Sequence, residues 1–218
     1  MNIWSGHFIE FKKAKKKSKG KGFLSKKWRN SQFLSFQDCL LKEKNNKRLP
    51  SRLTHRYKNF NKILEKKFKH KKNISILDFG GGFGLGFFSL DKKLKKKINY
   101  FILKNKNITS TFKPIFKKIN YFSFINAKIH YDIINCCSVI QYIENWKEIV
   151  KKLSNTKTEY LYFSDMFIGD IKTFVTLQKY FNSTIPHWFI NFKEFNNELI
   201  KNKYKLIQKK KNYNKKIK

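Results

Sequence analysis

The chain is poor in cysteine, arginine and acid. Its three cysteines are Cys39, Cys136 and Cys137; no CxxC pair occurs, and two of the three are adjacent. Neighbouring cysteines do not readily bridge each other, so a disulfide framework or a zinc site is not expected. Reduced thiols in a cytoplasmic setting fit this usage. There is no stretch of about 18 uncharged apolar residues, so no transmembrane helix is expected. No apolar run follows a basic start, so no signal peptide is expected either. A Gly-Lys-Ser/Thr phosphate loop and any internal repeat are missing as well.

Charge of one sign dominates. Fifty Lys and Arg face fourteen Asp and Glu, for a formal net charge of +36. Such an excess suits a partner rich in phosphate, whether nucleic acid or an anionic membrane surface. The composition of the excess points the other way. Only Arg29, Arg48, Arg52 and Arg56 are arginine, the residue favoured for bidentate phosphate and base contacts. Lysine here accompanies abundant Asn, Ile and Phe, as A/T-rich coding would produce. A nucleic-acid-binding protein is therefore the alternative reading rather than the first. At 40% hydrophobic and 17% aromatic, the chain has enough apolar side chain to build a core.

Three regions follow from the pattern: a cap and lead-in helix over 1–72, an α/β domain over 73–208, and a basic tail over 209–218. The first fifty residues read as short helices and loops around a lysine run from Lys12 to Lys21. Leu53, Tyr57, Phe60, Ile63, Leu64 and Phe68 recur at spacings of one, three and four over 51–72, as on one face of a helix. Strands are expected at 74–79, 99–103, 120–125, 131–137, 159–165, 188–191 and 204–208. Helices are expected at 83–97, 146–153, 171–181 and 193–201. Alternating strands and helices predict a doubly wound, mostly parallel Rossmann-like sheet with a helical cap.

The chemistry centres on Asp78-Phe79-Gly80-Gly81-Gly82-Phe83-Gly84, directly after the first strand. In such sheets ligands bind outside the carboxyl ends of the strands, and glycines there let the backbone approach them. The G-x-G-x-x-G dinucleotide fingerprint fails at Leu85. The observed order is Asp-x-Gly-x-Gly-x-Gly. An acid ahead of the glycines suits a ligand carrying an ammonium group, as S-adenosylmethionine does, rather than a pyrophosphate.

At these residues the chain resembles class I S-adenosylmethionine-dependent methyltransferases. More narrowly, it is similar to a methyltransferase family found among surface-polysaccharide biosynthesis genes. Trp4-Ser5-Gly6-His7-Phe8 looks like that family's opening block, and Ile76–Gly84 like its glycine core. Tyr131–Ile134 leading to Ser138–Ile143 is similar to its segment after strand four. Gln178 and Ile185-Pro186-His187-Trp188-Phe189 resemble its later elements. The resemblance implies methyl transfer to a small molecule or glycan precursor. It implies cofactor contacts from Asp78, Gly80, Gly81, Gly82, Gly84, Asn105, Ser138, Gln141 and Tyr142, with Asp165 and His187 as catalytic candidates; no metal is implied. One departure stands out: Lys104 occupies the place where these enzymes carry a ribose-binding acid, which raises a degenerate, non-catalytic relative as a further alternative. Cys136 and Cys137 read as core residues of a buried strand.

Overall fold

A computed structural model describes residues 2–103, 116, 118–126 and 128–210. The chain divides into two compact units. One comprises Met1–Ser25, Gln141–Ser154 and Phe167–Lys218; the other comprises Lys26–Ile140 and Asn155–Met166.

The larger unit is a parallel sheet. Its strands are β2 (Ile74–Phe79), β3 (Ile98–Leu103), β4 (Ile119–Phe122), β5 (Ile133–Cys137) and β6 (Tyr160–Ser164), in the spatial order β4-β3-β2-β5-β6. Every neighbouring pair runs parallel. This is the strand order of a doubly wound Rossmann-like sheet. It reverses beside β2, whose neighbours β3 and β5 leave in opposite directions, and that switch point is where such sheets take ligands. The strands are buried apolar runs: Ile74, Ile76, Leu77, Tyr100, Ile102, Ile133 and Ile134 are almost wholly shielded.

Helix α2 (Lys26–Lys44) and helix α3 (Ser51–Phe68) precede the sheet. The α3 stripe of Tyr57, Phe60, Leu64 and Phe68 is buried as its spacing predicts. Phe60 meets the Tyr162 ring and Phe68 the Tyr160 ring, which seats α3 on β6. Burying a leucine such as Leu64 contributes about 1.5–3 kcal/mol.

After the glycine turn the expected single helix over 83–97 is two short ones, α4 (Leu85–Phe88) and α5 (Lys92–Lys95). The break has a local cause. Ser89 turns its hydroxyl back to the Gly86 carbonyl, and Asp91 caps a new start by accepting from the Lys93 N–H at 2.8 Å.

The smaller unit is a second sheet, ordered β1-β8-β9-β7. Its strands are β1 (Trp4–Phe8), β7 (Ile168–Gly169), β8 (Phe174–Tyr180) and β9 (Ser183–Asn191). Here the structure corrects the sequence in three places. The helix expected over 171–181 is strand β8, paired antiparallel with β9 along seven residues. Its alternation explains why: Val175 and Leu177 pack under helix α1 (Phe11–Lys17), against Phe11 and Ala14, while Phe174 and Thr176 face the other side. The first fifty residues hold a strand, β1, and the 19-residue α2, rather than only short helices and loops. The strand expected at 204–208 is extended chain without a ladder. Helices α6 (Trp146–Ser154) and α7 (Phe192–Lys201) meet through Trp146 and Phe195. Among the described residues no helix is long and apolar enough to cross a membrane.

Candidate functional site

Three adjacent parallel strands end in left-handed backbone. Gly80 follows β2 with φ +72°, Ser138 follows β5 with φ +55°, and Asp165 follows β6 with φ +55°. For Ser138 and Asp165 this costs on the order of 1–3 kcal/mol each, a kind of strain that concentrates at functional sites.

The four turn glycines are not equivalent. A Cβ on Gly80 would run into Val139, and one on Gly81 into the Asp78 carboxylate. At Gly84 it would lie 2.6 Å from Ile119 Cδ1. These three are glycine because the protein itself fills the space. At Gly82 the nearest atom is Gln32 Oε1, at an ordinary 3.6 Å. Gly82 is therefore the point where a ligand could lie against the bare backbone.

The turn is also not an anion cradle. The N–H of Gly80 donates to the Leu103 carbonyl, that of Gly81 to Asp78, that of Gly82 to Gly80 and that of Gly84 to Gly81, at 2.7–3.3 Å. A pyrophosphate site needs several such N–H groups turned outward. The short α4 that follows adds no anion-binding terminus of its own.

Asp78 lies beneath this turn, fully buried. Its Oδ2 accepts from the Tyr100 hydroxyl at 2.6 Å and its Oδ1 from the Asn135 amide at 2.8 Å. One carboxylate thus ties β3 and β5 to the end of β2. Burial pushes the Tyr100 phenol well above its ordinary pKa, and the Asp78 charge adds to the rise. Burial does the same to Tyr57, with the nearby Cys137 and Asp78 contributing.

Asp165 forms an ion pair with Arg56 of α3, whose Nε and Nη2 both donate to Oδ2. Cys136 and Cys137 are held as thiols: burial raises both, and for Cys137 the Arg56 charge opposes the rise. Ser138 donates its N–H to the Ser164 carbonyl at 2.9 Å, joining the ends of β5 and β6.

The remaining sequence candidates lie in the smaller unit. Gln141 and Tyr142 sit on a single 3-10 turn, Ile140–Tyr142, and the Tyr142 hydroxyl donates to Gln178 Oε1 at 2.9 Å. His187 is fully buried in a box of rings: Trp4, Phe167, Tyr142 and Phe189 lie 4.8–5.3 Å from it. An apolar hollow of about 340 Å³ adjoins this face, lined chiefly by Trp4, Phe174, Phe189 and Ile171. Asn105 and Lys104 lie outside the described residues.

Sequence reading missed Tyr100, Asn135, Arg56 and Gln32. Two signals were present: Asn135 is an amide inside an otherwise apolar buried strand, and Arg56 is one of four arginines in a lysine-dominated chain.

No protein-family model matches the chain, and no curated protein matches it in sequence. Solved structures resemble it distantly. A 1,6-didemethyltoxoflavin-N1-methyltransferase of Burkholderia thailandensis, solved with bound 1,6-didemethyltoxoflavin and S-adenosylhomocysteine, is 9% identical. It covers 85% of this chain and 82% of its own, with TM-score 0.48. A plantazolicin methyltransferase with S-adenosylhomocysteine is 17% identical over 66% of this chain, TM-score 0.46. A coclaurine N-methyltransferase is 15% identical over 48%, TM-score 0.35. The chain spans 33% of the coclaurine enzyme's length and 56% of the plantazolicin enzyme's. Likenesses this remote bear on the fold alone, which rests on the chain's own strand order.

Proposed function

We propose that the chain is an S-adenosylmethionine-dependent methyltransferase acting on a small-molecule acceptor. The observation that carries this reading is the glycine turn: it stands at the switch point of the sheet, opens to a ligand at Gly82, and keeps the N–H groups of its four glycines satisfied. Such a turn suits a nucleoside ligand without phosphate. S-adenosylmethionine is one, and the dinucleotides are not.

Bound there, S-adenosylmethionine would supply an electrophilic methyl group. The chain's residues would do the rest. Gly80, Gly81, Gly82 and Gly84 shape the turn, Asp78 fixes it from below through Tyr100 and Asn135, and Ser138 forms the neighbouring wall. Asn105, next to Lys104, would offer the ribose a side-chain amide in place of the acid these enzymes usually carry. Asp165, ion-paired with Arg56, is better suited to orienting an acceptor hydroxyl or amine than to taking its proton, since the guanidinium stabilises the ionised carboxylate. His187, enclosed by aromatic rings, packs the smaller unit rather than serving as a base. A glycan precursor is the acceptor class that the blocks around Trp4 and His187 suggest by their resemblance. Three unbridged cysteines agree with a reducing cytoplasm.

Isothermal titration with S-adenosylhomocysteine and, separately, with NAD tests the reading. Saturable heat with the first and none with the second is expected. Binding of NAD alone, or of neither ligand at millimolar concentration, overturns it.

A further inference from the structure

The inward face of helix α2 is apolar at Trp28, Phe36 and Cys39, and half-buried Gln32 stands between the first two. Trp28, Gln32, Phe36 and Cys39 follow at spacings of four, four and three, so they share a face. Trp28, Phe36 and Cys39 are buried. Trp28 meets the Phe83 ring at 5.9 Å, and Phe36 meets the Phe88 ring at 5.3 Å. Two aromatic anchors thus fasten α2 to the residues on either side of Gly84. Between them, at the level of Gly82, stands Gln32, its Oε1 over the one turn glycine whose Cβ direction the protein leaves open.

An apolar residue at position 32 would continue the stripe and bury more surface. An amide there costs side-chain ordering and desolvation unless a polar partner repays it. A side-chain amide offers one acceptor and two donors, and this matches an α-amino acid group, with ammonium and carboxylate on one carbon. The Asp78 carboxylate directly beneath Gly81 favours the cationic half on this side of the turn.

We propose that Gln32 is a ligand-binding residue that holds the amino-acid end of an S-adenosyl ligand against the bare Cα of Gly82. The proposal rests on the cofactor reading above and adds a residue from a helix 46 positions upstream of the acid that opens the turn. It also assigns α2 a purpose beyond covering the sheet: the Trp28 and Phe36 anchors set the height of the amide.

Two ligands separate the contact from the fold. S-adenosylhomocysteine carries the amino-acid group; 5′-methylthioadenosine shares its thioether nucleoside and lacks that group. Calorimetric titration is made with the full chain, with Gln32→Ala, and with Gln37→Ala, an exposed glutamine on the same helix. Gln32→Ala should weaken S-adenosylhomocysteine about tenfold, the loss of one hydrogen bond to a charged group. It should leave methylthioadenosine unchanged, and Gln37→Ala should alter neither ligand. Unchanged affinity for S-adenosylhomocysteine in Gln32→Ala overturns the proposal. So does equal weakening of both ligands, which would mean that Gln32 acts through the fold. If the unsubstituted chain binds neither ligand, the cofactor reading fails and this assignment falls with it. Gln32→Met, which preserves stripe packing, keeps the test valid should the alanine variant melt early.

Discussion

The two edges of the parallel sheet each hold a buried aspartate, and they use it differently. At the amino edge Asp132 closes the structure. Its Oδ2 accepts from the Ser75 N–H at 2.8 Å, Lys71 forms an ion pair with it, and its own backbone joins β2 to β6 through Ser75 and Tyr160. None of the residues directly before a strand of this sheet is left-handed. At the carboxyl edge Asp78 is held by two neutral donors, Tyr100 and Asn135, under a turn that departs from regular backbone at Gly80, Gly82 and Gly84. Ser138 and Asp165 continue that irregularity along the same edge. Both aspartates fasten strands together, but only Asp78 does so beneath a turn whose backbone shape costs conformational energy.

The contrast can be broken most forcefully at the aspartates. Asp78→Ala leaves the Tyr100 hydroxyl and the Asn135 amide buried without their acceptor and should cost about 3–5 kcal/mol. Asp132→Ala frees a partly exposed lysine and a backbone N–H near solvent and should cost about 1–3 kcal/mol. Urea unfolding measures both. Equal losses would erase the distinction between the edges.

The glycines sharpen it next. Gly84→Ala must displace Ile119 as well as adopt left-handed backbone, so a loss of about 2–4 kcal/mol is expected. Gly82→Ala meets no atom closer than 3.6 Å and should cost only about 1–2 kcal/mol, from its φ. Its cost should instead fall on S-adenosylhomocysteine affinity, down at least tenfold. Thermal melts with and without that ligand separate the two effects.

A smaller effect of opposite sign is expected at Ser138. Ser138→Gly relieves left-handed strain and should stabilise the chain by about 0.5–1 kcal/mol, raising Tm by roughly 1–4 °C. If this edge is functional, the same variant should bind the ligand no better. Greater stability without better binding is the pattern expected of a strained working edge.

Alkaline pH probes the buried hydroxyls and thiols together. Burial holds Cys39 up at about 11, against an ordinary thiol value of 9.0, and raises Tyr100, Tyr57 and Cys136 as well. A folded pKa above the unfolded one gives stability that is whole below about pH 9 and is lost as pH rises through the folded values. Unfolding free energy should therefore be flat from neutral pH to about 9 and fall between about 9 and 11.

Much of the carboxyl edge was legible in the residues. Ile74–Phe79 announces a buried strand, and the glycines after it announce a close approach. The α3 stripe reads correctly because its spacing has no competing period. Phe174–Tyr180 does not, because FVTLQKY supports either a helix or a strand and only pairing with β9 decides. The partners of Asp78 were hidden for a different reason. Tyr100 and Asn135 stand 22 and 57 residues away, and no local pattern marks a side chain that will meet a carboxylate across a sheet. Gln32 was visible as a polar interruption between Trp28 and Phe36, but its meaning depends on which glycine lies opposite.

The most direct test of the central claim is a ¹H–¹⁵N NMR titration of the chain with S-adenosylhomocysteine, following the amide signals of Gly80, Gly81, Gly82 and Gly84 beside that of Ser75 at the opposite edge. Saturable shifts in the glycine turn are expected while Ser75 stays in place. Turn signals that do not move at saturating ligand, or shifts centred on Ser75, would contradict that claim.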